Sequence, residues 1–222
     1  HIVAEKSTEK NTHSPLSFRH FVLGAIEIFV YGGVEVGIPN IANLYMTGDL
    51  QINATTAGTV VGTYWFLMLV GRLTGGVLGS KFSSKSMLSF AAVLGLVFVL
   101  LAIFLPKDQM VSMPVFQSDI SFGLAQVPVS IMLLVLCGLC TSVMWGGIFN
   151  LATEGLGKYT AAASGIFMVM VCGGGIIPAI QGYAADIFGY VQSYWVVVIG
   201  ISYMLFYALV GSKNVNKDIK VD

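Results

Sequence analysis

Between Gly24 and Met46 the chain reads GAIEIFVYGGVEVGIPNIANLYM, and this stretch restricts the fold more than any other. A membrane-crossing helix needs about 20 mainly apolar residues at 1.5 Å rise, and the segment meets that length. It also holds two carboxylates, Glu27 and Glu35, a Gly32-Gly33 pair, Pro39, and two amides, Asn40 and Asn43. A carboxylate at mid-bilayer costs about 2.5–3.5 kcal/mol on insertion scales, so it persists where it faces protein or a watery cavity. Glycine pairs and proline weaken the helix ladder just where these polar groups gather. The stretch therefore reads as a helix lining a cavity; a plain anchor has no use for such residues.

The remainder of the chain is of the same kind. Of 222 residues, 56% are hydrophobic and only 10% charged, where a soluble domain carries about 25% charged residues. No ten-residue alternating segments of the transmembrane-barrel type occur, so the expected class is an all-α membrane protein. A formal net charge of zero argues against a nucleic acid partner. Neither His-Glu-x-x-His nor Gly-x-Ser-x-Gly is present, so no enzyme, metal site or cofactor is expected. Cys137-x-x-Cys140 has redox-motif spacing but no βαβ context; with Cys172, these cysteines read as packing residues.

Apolar periods mark six spans, at roughly 21–46, 57–79, 86–105, 129–151, 161–187 and 191–210. A polar linker is expected over residues 1–17, a six-helix unit over 18–212, and a short tail over 213–222. A chain that opens inside a linker reads as a fragment or as the downstream part of something larger. The segment from Pro106 to Pro128, with three prolines, is expected to be an extramembrane loop. Lys6, Lys10, Arg19, Lys81, Lys85, Lys158, Lys213, Lys217 and Lys220 fall on one side of these spans, and Lys107 on the other. By the positive-inside rule both termini are cytoplasmic.

Three further spans carry candidates. The second has Gly58, Gly62, Gly71, Gly75 and Gly79, which allow close helix approach. It also has Arg72, expected to join helices by bonding carbonyls or a carboxylate, with a partner that could lie in missing sequence. The fourth ends in Trp145-Gly-Gly-Ile-Phe-Asn150, an aromatic face and an amide of the kind that stacks on sugar CH surfaces and bonds hydroxyls. On a regular helix these two lie about 140° apart, and a packing role for Trp145 is the alternative. The fifth holds Gly173-Gly174-Gly175 and Pro178, which predict a bend, with Gln181 just beyond.

Val30–Gly37, Gly71–Gly75, Ile148–Gly157, Ala163–Pro178 and Gly182–Asp186 occur in the order and spacing of a known family. The chain resembles the C-terminal half of fucose–glucose/galactose proton symporters of the major facilitator superfamily, over Phe18 to Lys213. The resemblance implies one six-helix half-bundle of an inner-membrane, multi-pass transporter that lacks its N-terminal six-helix half here. It implies a monosaccharide and a proton as substrates, and makes Trp145 the cavity aromatic on the sugar path. Gly146-Gly147 departs from the family's usual Pro-Thr, and Asn150 stands where serine is common. Glu35 matches the glutamate of the half's first span, although the family's proton-carrying acids lie chiefly in the absent half.

The resulting expectation is that Glu35, Asn40, Asn43, Trp145, Asn150 and Gln181 face substrate. Glu35 is the ionisable member and proton-coupling candidate, while Arg72, Gly174 and Pro178 serve helix gating. Glu27, Tyr31 and Glu35 step by four and share a broad face; Glu27, nearer the cytoplasmic end, is expected to snorkel or to pair with Arg19 or His20. Two rival readings are a half-size transporter acting as a dimer and a membrane sensor or assembly protein.

Overall fold

The computed structural model describes residues 13–222. Most of the expected linker lies outside the described residues; of it, Pro15–Ser17 forms a 3-10 turn leading into the first helix. Six helical spans are long and apolar enough to cross a membrane: Arg19–Gly48, Ala54–Leu78, Ser84–Phe104, Val129–Thr153, Gly157–Phe188 and Gln192–Gly211. We number the α-helices α1 (Arg19–Gly48), α2 (Ala54–Leu78), α3 (Ser84–Phe104), α4 (Val129–Ser142), α5 (Met144–Thr153), α6 (Thr160–Met170), α7 (Gly173–Phe188) and α8 (Trp195–Phe206).

α1 is the mast of the bundle. Its apolar residues are spread over every side, as in a helix enclosed by others, and 61% of its apolar window is buried, close to the 67% of the fourth span and against 28% for the second and 17% for the fifth. Its glycines explain the enclosure. A Cβ on Gly32 would stand 2.9 Å from the backbone nitrogen of Gly174, and one on Gly33 would run into the Ile177 side chain. Gly173 in turn abuts the Phe29 carbonyl. The Gly32-Gly33 and Gly173-Gly174 pairs therefore let two backbones cross in near contact, the packing that small residues permit in membranes.

Pro39 lies inside α1. Lacking an N–H, it leaves the Glu35 carbonyl without its helical donor, and the Tyr64 hydroxyl of α2 takes that place at 2.9 Å. Two spans are interrupted. The fourth breaks at Val143, between α4 and α5. The fifth breaks at Val171 and Cys172, just ahead of the glycine triplet, while Pro178 sits within a continuous α7. The bend thus falls earlier than expected. Pro178 is only the sixth residue of α7, so the single bond it forfeits, to the Gly174 carbonyl, is close to a helix start already short of partners.

The segment read as an extramembrane loop contains a β-hairpin. β1 (Met110–Phe116) pairs antiparallel with β2 (Phe122–Pro128), from Met110 opposite Pro128 to Phe116 opposite Phe122. Both strands are edges, which is where proline is tolerated. The hairpin is fastened to α2: the Phe116 N–H donates to Thr63 Oγ1 at 2.9 Å, and Phe116 stacks on Phe66 with centroids 4.6 Å apart. Lys107 closes the preceding helix, its Nζ donating to the Ala102 and Ile103 carbonyls at 2.8 and 3.0 Å. The tail folds back on the opposite end: Lys158 N–H donates to the Val221 carbonyl at 2.9 Å, and Arg19 N–H to Asn216 Oδ1 at 2.9 Å.

Candidate functional site

A cavity of about 680 Å³ opens between α1, α2, the α4–α5 break and the break of the fifth span. That volume falls within the range of small-molecule sites, about 300–1,000 Å³. Glu35 reaches it from α1, Arg72 from α2, Ser84 and Met87 from α3, Trp145 and Asn150 from α5, and Val171 from the fifth span. Glycines leave the floor bare: Gly75 and Gly76 on α2, and Gly146 and Gly147 on α5.

Glu35 and Arg72 form an ion pair at 3.2 Å, with the carboxylate side chain 19% exposed and the guanidinium 52%. Arg72 therefore finds its acid inside this chain, on α1, where missing sequence had been invoked for it. Beside the pair, hydroxyls tie α1 and α2 to α4. Tyr31 lies one turn before Glu35 and donates to the Thr141 carbonyl at 3.1 Å, while Tyr64 Oη meets Thr141 Oγ1 at 3.2 Å. One side of the cavity is thus a charged pair beside a closed hydroxyl network, with Arg72 half open to the space.

The facing wall is aromatic. Trp145 stacks on Phe149 with centroids 5.3 Å apart and planes 8° from parallel, and Phe167 meets both rings edge-on. Trp145 serves packing and lining together: it is partly buried against the core and still borders the cavity. Asn150 Nδ2 donates to Ser84 Oγ at 3.2 Å on the exposed rim. The angle expected between Trp145 and Asn150 does not separate them, because no side chain on Gly146 or Gly147 stands between and the cavity wraps that flank of α5.

Three of the expected substrate-facing residues are elsewhere. Asn40 is exposed and Asn43 half-buried, and neither borders the cavity. They lie five and eight positions after Glu35, which turns them about 140° and 80° away from it around the helix axis. Gln181 is wholly buried against Gly37, with neither its Nε2 nor its Oε1 hydrogen-bonded. Gly174 and Pro178 belong to α7, and Gly174 to its crossing with α1 rather than to the cavity. Glu27 neither snorkels nor pairs: it is wholly buried with both oxygens unpartnered, and the His20 ring turns instead to the Glu154 carbonyl at 2.7 Å. Ser84, Met87 and Val171, which do line the cavity, carry no local signal of that role in the sequence, since only the tertiary arrangement brings them there.

The comparisons with known proteins come down on one fold. A solved structure described as the Major Facilitator Superfamily transporter FucP in the outward conformation superposes with a TM-score of 0.73 at 20% identity, covering 88% of this chain and 43% of that one. A Brucella abortus protein named glucose/galactose transporter is 29% identical over 93% of this chain and 46% of its own length. A Helicobacter pylori protein named as a proposed glucose/galactose transporter is 32% identical over 95% and 48%. The Escherichia coli L-fucose-proton symporter is 25% identical over 77% and 35%. The chain thus spans about half the length of the first two of these relatives. With residues 23–218 matching the Major Facilitator Superfamily as a family, the chain belongs to that superfamily of transporters.

Proposed function

We propose that this chain is the C-terminal six-helix half of a monosaccharide–proton symporter of the inner membrane, with both termini cytoplasmic. The observation that carries the reading is that the Glu35–Arg72 pair borders the same cavity as Trp145 and Asn150, and that this cavity has a sugar-compatible size. A pyranose presents a CH face and a rim of hydroxyls. Trp145, held flat by Phe149, offers a surface for the first, and Arg72, Glu35, Asn150 and Ser84 offer donors and acceptors for the second.

Coupling follows from the ion pair. While Glu35 is ionised it occupies Arg72; a proton on Glu35 dissolves the pair and frees the guanidinium for a sugar hydroxyl. One charge moved through 100 mV is worth about 2.3 kcal/mol, enough to concentrate a solute tens-fold. The second half of the pathway would come from a further six helices packed on the least covered spans, the second and fifth, with the two bundles rocking about the midplane site. The names of the relatives support a hexose or 6-deoxyhexose as substrate.

The test is uptake of labelled glucose, galactose and fucose by the full-length protein at varied external pH. Sugar accumulation that rises with an inward proton gradient, and falls by roughly tenfold or more in Glu35→Gln, is the expected result. Wild-type uptake kinetics in that variant would remove Glu35 from the site.

A further inference from the structure

Glu27 has no part in the cavity, yet it is the only acidic side chain among the described residues that is sealed inside the bundle. Neither of its oxygens has a hydrogen-bond partner. Two more orphaned atoms lie along the same face of α1. Tyr207 Oη is buried without a partner, 2.8 Å from where a Cβ on Gly24 would stand. His20 is wholly buried; its Nε2 meets the Glu154 carbonyl at 2.7 Å, and its Nδ1 has nothing. A carbonyl only accepts, so Nε2 carries the hydrogen and Nδ1 of the neutral ring is a free acceptor.

His20, Gly24 and Glu27 are spaced by four and three, which stacks them on one side of the helix. Tyr31 extends the row by a turn and stands beside Glu35. A broken file of polar groups therefore runs from the Arg19 end of α1 to the ion pair in the cavity. Tyr207 also opens the π-helical turn Tyr207–Gly211, a local widening that recurs at functional sites.

The other ionisable groups around Glu27 are few. Tyr203 of α8 already donates to the Leu23 carbonyl at 2.9 Å. Glu154 sits at the end of α5 within electrostatic range of Tyr207, and Arg19 is exposed at the start of α1. No lysine or arginine among the described residues forms an ion pair with Glu27. An ionised carboxylate with no partner is costly in such a place, whereas the neutral acid is far cheaper to enclose.

We propose that Glu27 is a proton-carrying site of this half, holding H⁺ while α1 and the end of the last span are packed together and releasing it toward the Arg19 end when they part. The proposal rests on the symport reading above. The step moves a proton alone: the Glu27 O–H bond breaks, its electron pair stays on the carboxylate, and the proton passes to water admitted from the Arg19 end.

The test compares the full-length wild type with Glu27→Gln in vesicles, using two assays. One is sugar accumulation under an imposed proton gradient; the other is counterflow of labelled against unlabelled sugar with no gradient. The variant is expected to lose accumulation by about tenfold or more, the scale set by one proton moving through the membrane potential, with counterflow within about twofold. Wild-type accumulation in the variant overturns the proposal, and so does an equal loss in both assays. A wild type that transports sugar without moving protons sinks the symport reading instead, whatever Glu27 does. Infrared difference spectra give a readout independent of transport: a neutral-acid carbonyl band is expected in the wild type and missing in Glu27→Gln, and its absence from the wild type overturns the proposal. Should Glu27→Gln fail to insert, Tyr207→Phe is expected to shift the pH dependence of accumulation without changing counterflow, and an unshifted profile overturns the proposal.

Discussion

Glu27 and Glu35 stand two turns apart on one helix and meet opposite surroundings. Glu35 borders a cavity and has a guanidinium at 3.2 Å; Glu27 is enclosed and has no partner. The Glu35–Arg72 pair is itself asymmetric, since Arg72 is half exposed and Glu35 largely covered. Arg72→Ala leaves a mostly buried carboxylate unpaired, at a cost of about 1–3 kcal/mol. Glu35→Ala leaves a cation that the cavity can hydrate, and costs less. Thermal unfolding of the purified protein should therefore rank Arg72→Ala below Glu35→Ala, with the Arg72→Ala/Glu35→Ala double variant losing less than the two single losses combined. Equal losses in both single variants, adding up in the double, would mean that the pair is not coupled.

At the scale of elements, glycines and prolines carry two distinct duties that look alike in sequence. Gly32, Gly33, Gly173 and Gly174 occupy the α1–α7 crossing, whereas a Cβ on Gly58 or Gly62 would meet nothing within 4 Å. Gly33→Leu should destabilise by about 1–3 kcal/mol or more, because the new side chain collides with Ile177. Gly62→Leu should leave the stability of this bundle unchanged. Detergent-solubilised unfolding midpoints of the two variants check this, and a tolerated Gly33→Leu would refute the crossing. The hairpin shows what local pattern can hide. Met113 and Val115 on β1, and Ala125 and Val127 on β2, are buried while Ser112, Pro114, Leu124 and Gln126 next to them are exposed. That period of two was present in the sequence, but three prolines and modest polarity made it read as a loop; the anchor to Thr63 and Phe66 is what holds the strands.

For the molecule as a whole, burial is uneven in a way that has consequences. The second and fifth spans are 28% and 17% buried over their apolar windows, and Gly58, Gly62, Gly76, Gly165, Gly175 and Gly182 have open space where a Cβ would be. If a further six-helix bundle docks on these spans, cysteines placed at Gly62 and Gly182 in the full-length protein should crosslink to that bundle with short bifunctional reagents, and sugar should alter the yield. Cysteines at Phe90 and Ile199, which are exposed on α3 and α8, should react with lipid-soluble probes instead. Crosslinks confined to the second pair would place the docking face elsewhere.

Length, apolarity and scarcity of charge were enough to settle six membrane helices and their approximate limits, because a chain in lipid must satisfy every backbone group within its own helices. The ordered motifs were enough to indicate the superfamily. The sequence also singled out Glu35, Arg72 and Asn150, each polar within an apolar span, and Trp145, an aromatic next to a glycine pair. Which of the polar residues meet in one place was decided only by tertiary packing. Asn40, Asn43 and Gln181 have the same chemistry as the residues that line the cavity, but helix rotation and the glycine crossing turn them to other surfaces. The partner of Arg72 and the enclosure of Glu27 depended likewise on how neighbouring helices close around α1, and contacts between residues far apart in the chain leave no mark on local pattern.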